Sequence, residues 1–590
     1  AFRVEWSRLG GQCPWATAFQ TPGFVVTWYD TYRDRAEPVL VLSRAGDGRL
    51  LGLLPLAVTA PDDRLVVAGG GQAEYHAWIS PPDLGDAFAW HAVEAIRREV
   101  PSQGLSFRYL PPNTPTGWLA RPGAKRTCSL RARRRPLMRF GDGGEIAASL
   151  NKKSNKSRLS HLGKVGRTEF KRVTDPAEFD ALFDAIIRCY DTRRMSLGGS
   201  APFRDDGLKK PFYRALMRVP GLLHVTVLKV GDRVAAAHLG ACGAREVQLG
   251  LVAHDPFLVK HSPGKFLILF LARMLWQEGY EQLDLTAGGE PYKERFANAW
   301  DEVHTLGAFP TPLARRKAVV LGGAEDAARA TLHRFGIRPE RARSVASGLR
   351  RLRPARAPAV VFGRARAWIR SRRETRVYSH EVATAPHPDV PPLIRRDALE
   401  DLLDHHPGEA WPSRPGSLSA WPSRPGFLSA ALERIEDGQH FYTYTEGGRL
   451  LHLGWLAERP TEALVGRAIP GFRLPPDSAL VLDLDTAPEA RGRGLGALSL
   501  RAMLRDAARI PGAGRAYIAV PADDGPARRV VEELGFTYER SLLEETRFGR
   551  SRRSTVPPAT GPGGAYHRDV DVGVPTDAPP KRPAPTPAGR

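Results

Sequence analysis

At 590 residues with 42% hydrophobic content, the chain is too long for one core and apolar enough to build several. No stretch approaches the ~18 uninterrupted apolar residues of a membrane span, and Ala1 to Gly10 carries no cleavage-like signature; this predicts a soluble cytoplasmic protein, at most peripheral to the inner face of the membrane. Cys13, Cys128, Cys189 and Cys242 lie far apart without metal-ligand spacing, which argues against a disulfide framework and a zinc site, and the net charge of +22 points to an anionic partner only where it is concentrated.

The first unit is expected over 1–140. Val39 to Ser43 reads as a strand, Asp47-Gly48 as a turn and Leu51 to Val58 as the returning strand, together a hairpin. A helical stretch near Phe88 to Arg98 and a strand near Leu105 to Leu110 complete a small α/β unit. From Asn151 to Arg172 the chain turns basic, with Glu169 as the single acid. The second unit, 141–314, takes a helix from Pro176 to Tyr190, then strands Leu222 to Val230, Val234 to Cys242 and Glu246 to Val252. The loop His261 to Gly264, a helix Lys265 to Glu278 and a strand Gln282 to Leu285 follow. That order, a three-stranded meander and then loop, helix and strand, repeats near the C-terminus.

Arg315 to Arg376 holds 18 Lys/Arg against Glu325, Asp326, Glu340 and Glu374. Its helical patches are broken by Pro339, Pro354 and Pro358, so it reads as a basic linker suited to salt-sensitive, sequence-indifferent contact with a membrane surface or RNA. AWPSRPGSLS at Ala410 to Ser419 recurs as AWPSRPGFLS at Ala420 to Ser429, a tandem duplication expected in a surface loop. The last folded unit, 377–550, has strands near Phe441 to Tyr444, Leu450 to Leu456, Ala479 to Leu484 and Arg515 to Val520, with helices Ala497 to Arg509 and Pro526 to Leu534. Residues 551–590, rich in Pro, Gly, Thr and Ala, read as a disordered tail.

Arg491, Gly492, Arg493, Gly494, Leu495 and Gly496 sit between the Ala479 strand and the Ala497 helix. A strand, a glycine-rich turn and a helix present unpaired N–H groups at the positive end of a helix dipole, a cradle for a diphosphate. With Asp524-Gly525-Pro526-Ala527 and Glu532-Glu533-Leu534-Gly535-Phe536 at the matching distance, these residues resemble the GNAT acetyltransferase family over roughly Val377 to Arg550. The resemblance implies an acetyl-CoA or other acyl-CoA co-substrate and no metal. It implies a splayed sheet whose central strand, at Leu484, Asp485 and Thr486, bonds the pantetheine arm while the loop and Asp524 hold the rest. The family's tyrosine position is occupied by Val531, which leaves Tyr538 as a substitute acid and Asp483 or Asp485 as bases. The plain alternative is that Tyr538 packs at a core edge and the two acids are solvated.

Trp6 to Leu306 resembles a double-unit branch of the same superfamily, the acetyltransferase-like proteins grouped with the cellulose-biosynthesis protein CelD. The matching pieces are ATAFQTPGFVVTWYDTY at Ala16, LLGLLPLAV at Leu50, SPGKFLILFLARMLWQEGYEQLDLT at Ser262 and GGEPYKERF at Gly288. Ser262 as N-cap, Pro263 in the first turn, Gly264 for close approach and Lys265 for charge describe either a second phosphate cradle or a plain capped helix. Glu290, Tyr292 and Lys293 stand where a cleft would open and read as base, acid and anion holder, or as packing and solvated groups, with solvent favoured for Lys293. Asp284 is a further candidate; His238 and His254 read as structural.

Together these readings give an α/β chain of tandem GNAT-like folds, mixed splayed sheets flanked by helices, with an N-terminal double unit and a C-terminal single unit. The function expected is acyl-CoA-dependent N- or O-acyl transfer to a small-molecule or lipid- or sugar-linked acceptor, with family resemblance pointing to exopolysaccharide or envelope precursors. Two alternatives stand beside it: a FemAB-like aminoacyl-tRNA-dependent transferase, and an acyl-CoA-binding regulator with one inactive unit.

Overall fold

The computed structural model describes residues 1–99, 104–334, 370–382, 393–406, 424–547 and 550–557. The hairpin is present: β1 (Ala36–Arg44) pairs antiparallel with β2 (Leu50–Thr59), and β3 (Arg64–Val67) extends the sheet to three strands. Helix α1 (Gly85–Glu99) lies on it so closely that a Cβ on Gly52 would run into the Phe88 ring.

A five-stranded sheet of order β4-β12-β5-β11-β9 joins β4 (Leu105–Leu110) and β5 (Cys128–Arg139) to β9 (Glu246–Gln248), β11 (Gln282–Asp284) and β12 (Ala299–Ala308). The expected seam at 140 is therefore crossed by pairing, because β5 lies between β11 and β12. Its run of arginines hid it: exposed residues alternate with half-buried ones until Arg135, which is buried and bonded to Asp301 at 2.6 Å. A four-stranded sheet, β10-β8-β7-β6, is built from β6 (Thr168–Val173), β7 (Leu223–Val230), β8 (Arg233–Ala241) and β10 (Leu251–His254). The strand expected over Glu246 to Val252 is thus split. At Gly250, φ is +46° and a Cβ would strike the Leu239 carbonyl, so β9 leaves to pair with β11 while β10 stays on β8.

Around these sheets run α2 (Lys153–Val165), α3 (Pro176–Gly198), α4 (Pro263–Gln277) and α5 (Pro312–Arg334). The expected linker thus begins inside a helix. It ends inside a strand, β13 (Arg370–Glu381), whose charged sequence concealed its pairing. The stretch 335–369 lies outside the described residues.

The C-terminal sheet has eight strands in the order β14-β15-β16-β17-β18-β13-β19-β20. They are β14 (Arg395–Arg396), β15 (Gln439–Glu446), β16 (Arg449–Ala457), β17 (Ser478–Thr486), β18 (Arg515–Pro521), β19 (Thr537–Arg547) and β20 (Arg550–Val556), with α6 (Arg424–Glu436), α7 (Leu495–Ala507) and α8 (Gly525–Glu533). The start of the expected tail, 551–556, pairs with β19; 558–590 and the first copy of the duplication lie outside the described residues. The second copy does not form a loop from Arg424 onward but opens α6, because Phe427, which stands where the first copy has Ser417, is fully buried.

The two halves repeat one topology. In each, a strand from the N-terminal side, β5 or β13, is inserted antiparallel beside the strand that returns from the loop and helix, β11 or β18. They also share one apolar core, in which Phe183, Ile186 and Leu239 pack with Phe427, Leu428, Phe441 and Trp455.

Candidate active sites

In the C-terminal unit β17 runs parallel to β18 only from Ser478 to Val481, yet continues on β16 to Thr486. Beyond Val481 it no longer pairs with β18. The divergence coincides with a bulge between Leu453 and Trp455 and with Asp483 at φ +44°.

Past this splay the chain enters the glycine loop, where Gly492 and Gly494 stand at φ +77° and +73°. The first backbone bond into α7 is Leu498 N–H to the Gly494 carbonyl at 3.0 Å, and among the described residues the N–H groups of 492–497 have no acceptor. A Cβ on Gly496 would meet no atom within 4 Å, so the helix start is open to a ligand. Leu495 is buried and anchors the turn. Arg491 is exposed and has no ion-pair partner among the described residues. Arg493 is held by Glu446 at 2.9 Å and by the Tyr444 hydroxyl at 3.0 Å. These features fit a diphosphate cradle of backbone donors with arginines at its rim.

The other expected residues of this unit divide. Leu484, Asp485 and Thr486 line the end of β17, half-buried, with Thr486 Oγ1 at 2.8 Å from His452 Nδ1. Burial pushes the His452 imidazole down to about 3, so it is neutral. Asp483 accepts from Arg434 Nη2 at 2.5 Å. Asp524 caps α8, accepting from the Ala527 N–H at 3.0 Å, and Val531 is buried in the core. Tyr538 is not brought to the loop. It sits on β19, three strand spacings or roughly 14 Å along the sheet from β17, with its hydroxyl at 2.8 Å from Ser541 Oγ.

The N-terminal cleft opens where β9 and β10 part, but its phosphate device differs. Ser262 stands at φ +58° and its side chain caps nothing; its carbonyl takes the N–H groups of Lys265 and Phe266, leaving Gly264 as the unbonded donor. Charge replaces backbone donors: Arg158 donates to Ser262 Oγ at 3.1 Å and Lys265 to Asn155 Oδ1 at 2.7 Å. Burial, then Arg158 and Lys152, hold the Lys265 pKa down.

At the other lip, Lys293 is buried, contrary to the solvated placement, with Nζ at 2.8 Å from Thr286 Oγ1 and 3.0 Å from Glu290. Tyr292 is half-buried; burial and then Glu290 push its phenol up to about 12. His254 meets Arg193 Nη1 at 2.6 Å, and burial, with Arg193, keeps it neutral at about 3. Asp284 is fully buried, accepting from the Tyr75 hydroxyl at 2.6 Å and from the Thr286 N–H at 2.8 Å, and its pKa is raised by burial. Arg193, Arg434, Trp455 and His452 were missed by sequence reasoning. Arg193, Arg434 and His452 meet their hydrogen-bond partners 61, 49 and 34 residues away in the chain, and Trp455 acts in packing. No local signal marks such a partner.

Two family profiles match these same regions: acetyltransferase (GNAT) domain over residues 151–294, and acetyltransferase (GNAT) family over residues 398–536. The chain carries two GNAT acetyltransferase domains. No curated protein matches. Among solved structures, the C-terminal domain of a protein described as a lysylphosphatidylglycerol synthetase from Agrobacterium fabrum is 13% identical, with 50% of this chain and 96% of that one covered at a TM-score of 0.33. A GNAT-family protein from Novosphingobium aromaticivorans is 20% identical over 29% of this chain and 63% of its own, at 0.21. A tandem GNAT protein from the clavulanic acid biosynthesis pathway is 16% identical over 64% and 98%, also at 0.21. The GNAT assignment rests on the family profiles. Among the described residues there is no group of three His, Cys, Asp or Glu arranged to hold a metal, and no helix long and apolar enough to cross a membrane.

Proposed function

We propose that this GNAT-family acyltransferase uses acetyl-CoA or a related acyl-CoA in its C-terminal cleft and transfers the acyl group to an amine or hydroxyl. The observation that carries this reading is the run of N–H groups at 492–497 without an acceptor among the described residues, beside the splay of β17 from β18. When bound, the acyl-CoA supplies the thioester. The loop N–H groups and Arg491 hold its phosphates, and Leu484 to Thr486, where β17 has left β18, line its arm. In this reading Asp483, the carboxylate at the bulge, takes a proton from the acceptor nitrogen or oxygen as that atom bonds the acyl carbon and the carbon–sulfur bond breaks. The leaving thiolate takes its proton from solvent, since Val531 offers none. This role for Tyr538 is not retained.

In the N-terminal domain the cationic helix start supports a second phosphate-bearing ligand, with Glu290 and Tyr292 at its lip. Arg315 to Arg376 adds an anionic-surface contact that would keep a cytoplasmic enzyme near envelope or exopolysaccharide precursors. Calorimetric titration of acetyl-CoA into the whole chain tests the central claim. Saturable binding that is lost in Gly494→Glu, with the melting curve retained, supports the cradle. Binding unchanged in that variant removes it.

A further inference from the structure

The first turns of α5 hold apolar side chains that the rest of the chain leaves in solvent: Leu313, Val320 and Leu321 are 76%, 70% and 56% exposed. At about 3.6 residues per turn, Ala314, Arg315, Ala318 and Gly322 share one side of this helix, and all four are half-buried. That side is fixed to β5. Arg315 Nε donates to the Cys128 carbonyl at 2.6 Å, Arg131 Nη2 donates to the Val319 carbonyl at 3.0 Å, and a Cβ on Gly322 would run into the Arg131 guanidinium. Leu313, Val320 and Ala324 fall on the opposite side, with Arg316 along one flank and Lys317 and Leu321 along the other, and all six are exposed. Arg316 and Lys317 have no ion-pair partner among the described residues, and no acid precedes Glu325 in the helix. At the inner edge, a cavity of about 310 Å³ is lined by Lys125, Arg131, Arg315 and Ser129 together with apolar groups that include Leu130 and Val319, and no carboxylate lines it.

An apolar stripe flanked by cations needs a partner that is apolar and anionic in adjacent layers. A second copy of the same face would set like charges against each other. RNA would satisfy the cations alone, since residues 312–324 include no aromatic ring on which a base could stack. We propose that α5 docks this protein on an anionic phospholipid bilayer. Leu313, Val320 and Leu321 enter the boundary between headgroups and acyl chains, Arg316 and Lys317 meet the lipid phosphates, and the cationic recess beside the helix extends that contact. This deepens the anionic-surface contact of Arg315 to Arg376 and rests on it, while it is independent of the acyl-CoA reading.

Co-sedimentation of the full chain with vesicles of phosphatidylcholine alone, or of an equal mixture with phosphatidylglycerol, tests the inference. Binding to the mixed vesicles is expected to be at least about tenfold tighter. The double variant Leu313→Gln, Val320→Gln is expected to lower that affinity about tenfold or more with the melting curve retained, because both side chains are already exposed in the free protein. Arg316→Glu with Lys317→Glu is expected to weaken it by a similar factor and to reduce its dependence on salt. Equal binding to both kinds of vesicle overturns the inference. Affinity for the mixed vesicles that survives the apolar double variant also overturns it, and leaves the purely electrostatic contact beneath it standing. Absence of binding to either vesicle removes both, and retention of mixed-sequence RNA in that case would assign the basic segment to nucleic acid.

Discussion

His76 is held down to about 4 and His224, His238, His254 and His452 to about 3, in each case chiefly by burial. In the unfolded chain these rings take up protons near pH 6.5, but in the folded chain they do not until pH 3 to 4. Between those limits the unfolded state binds more protons, so stability is full above about 6.5 and falls as pH is lowered, by about 1.4 kcal/mol per pH unit per histidine. Melting temperatures taken from pH 7 to pH 5 are expected to drop steeply, and His238→Gln to shallow that slope. A melting curve insensitive to pH over this window would show that these rings are protonated where they stand. Only the positions of His238 and His254 in apolar stretches were legible in the sequence. The satisfaction of His238 by the Gln248 carbonyl at 3.0 Å was not, because that contact depends on how β8 meets the turn after β9.

At the scale of elements, the loop, helix and strand that make each cleft were readable where hydrophobic runs and glycine turns coincide. The inserted strands were not. β5 and β13 are rich in arginine, and their pairing is settled by neighbours far away in the chain, so short-window patterns do not read them as strands. β13 is nevertheless central, flanked by β18 on one edge and β19 on the other. Val377→Pro removes a ladder donor and a buried side chain from this strand and is expected to cost about 3 kcal/mol or more. Urea unfolding of the variant measures it, and a midpoint within error of the parent would mean that β13 contributes little to this sheet.

For the whole molecule, the decisive feature is the core shared by α3 and α6. Phe257 reaches across as well, with its ring stacked at 6.2 Å on His440 and 6.3 Å on Phe441. Phe427→Ser, which restores the residue of the first duplicated copy, deletes a fully buried ring from that core. It is expected to cost about 3–5 kcal/mol and to separate the unfolding of the C-terminal domain from that of its neighbour in a calorimetric scan. A single, unshifted transition would show that the halves do not support one another. The sequence by itself determined the two GNAT units, the glycine loop and the order of strand, loop, helix and strand, because left-handed turns, helix starts and hydrophobic periods are decided within a few residues. Only the tertiary structure decided that β5 and β13 enter neighbouring sheets, that Arg434 meets Asp483 and that Lys293 is buried. Those outcomes come from register and packing between distant segments, where the favourable contact exists only after the chain has closed on itself.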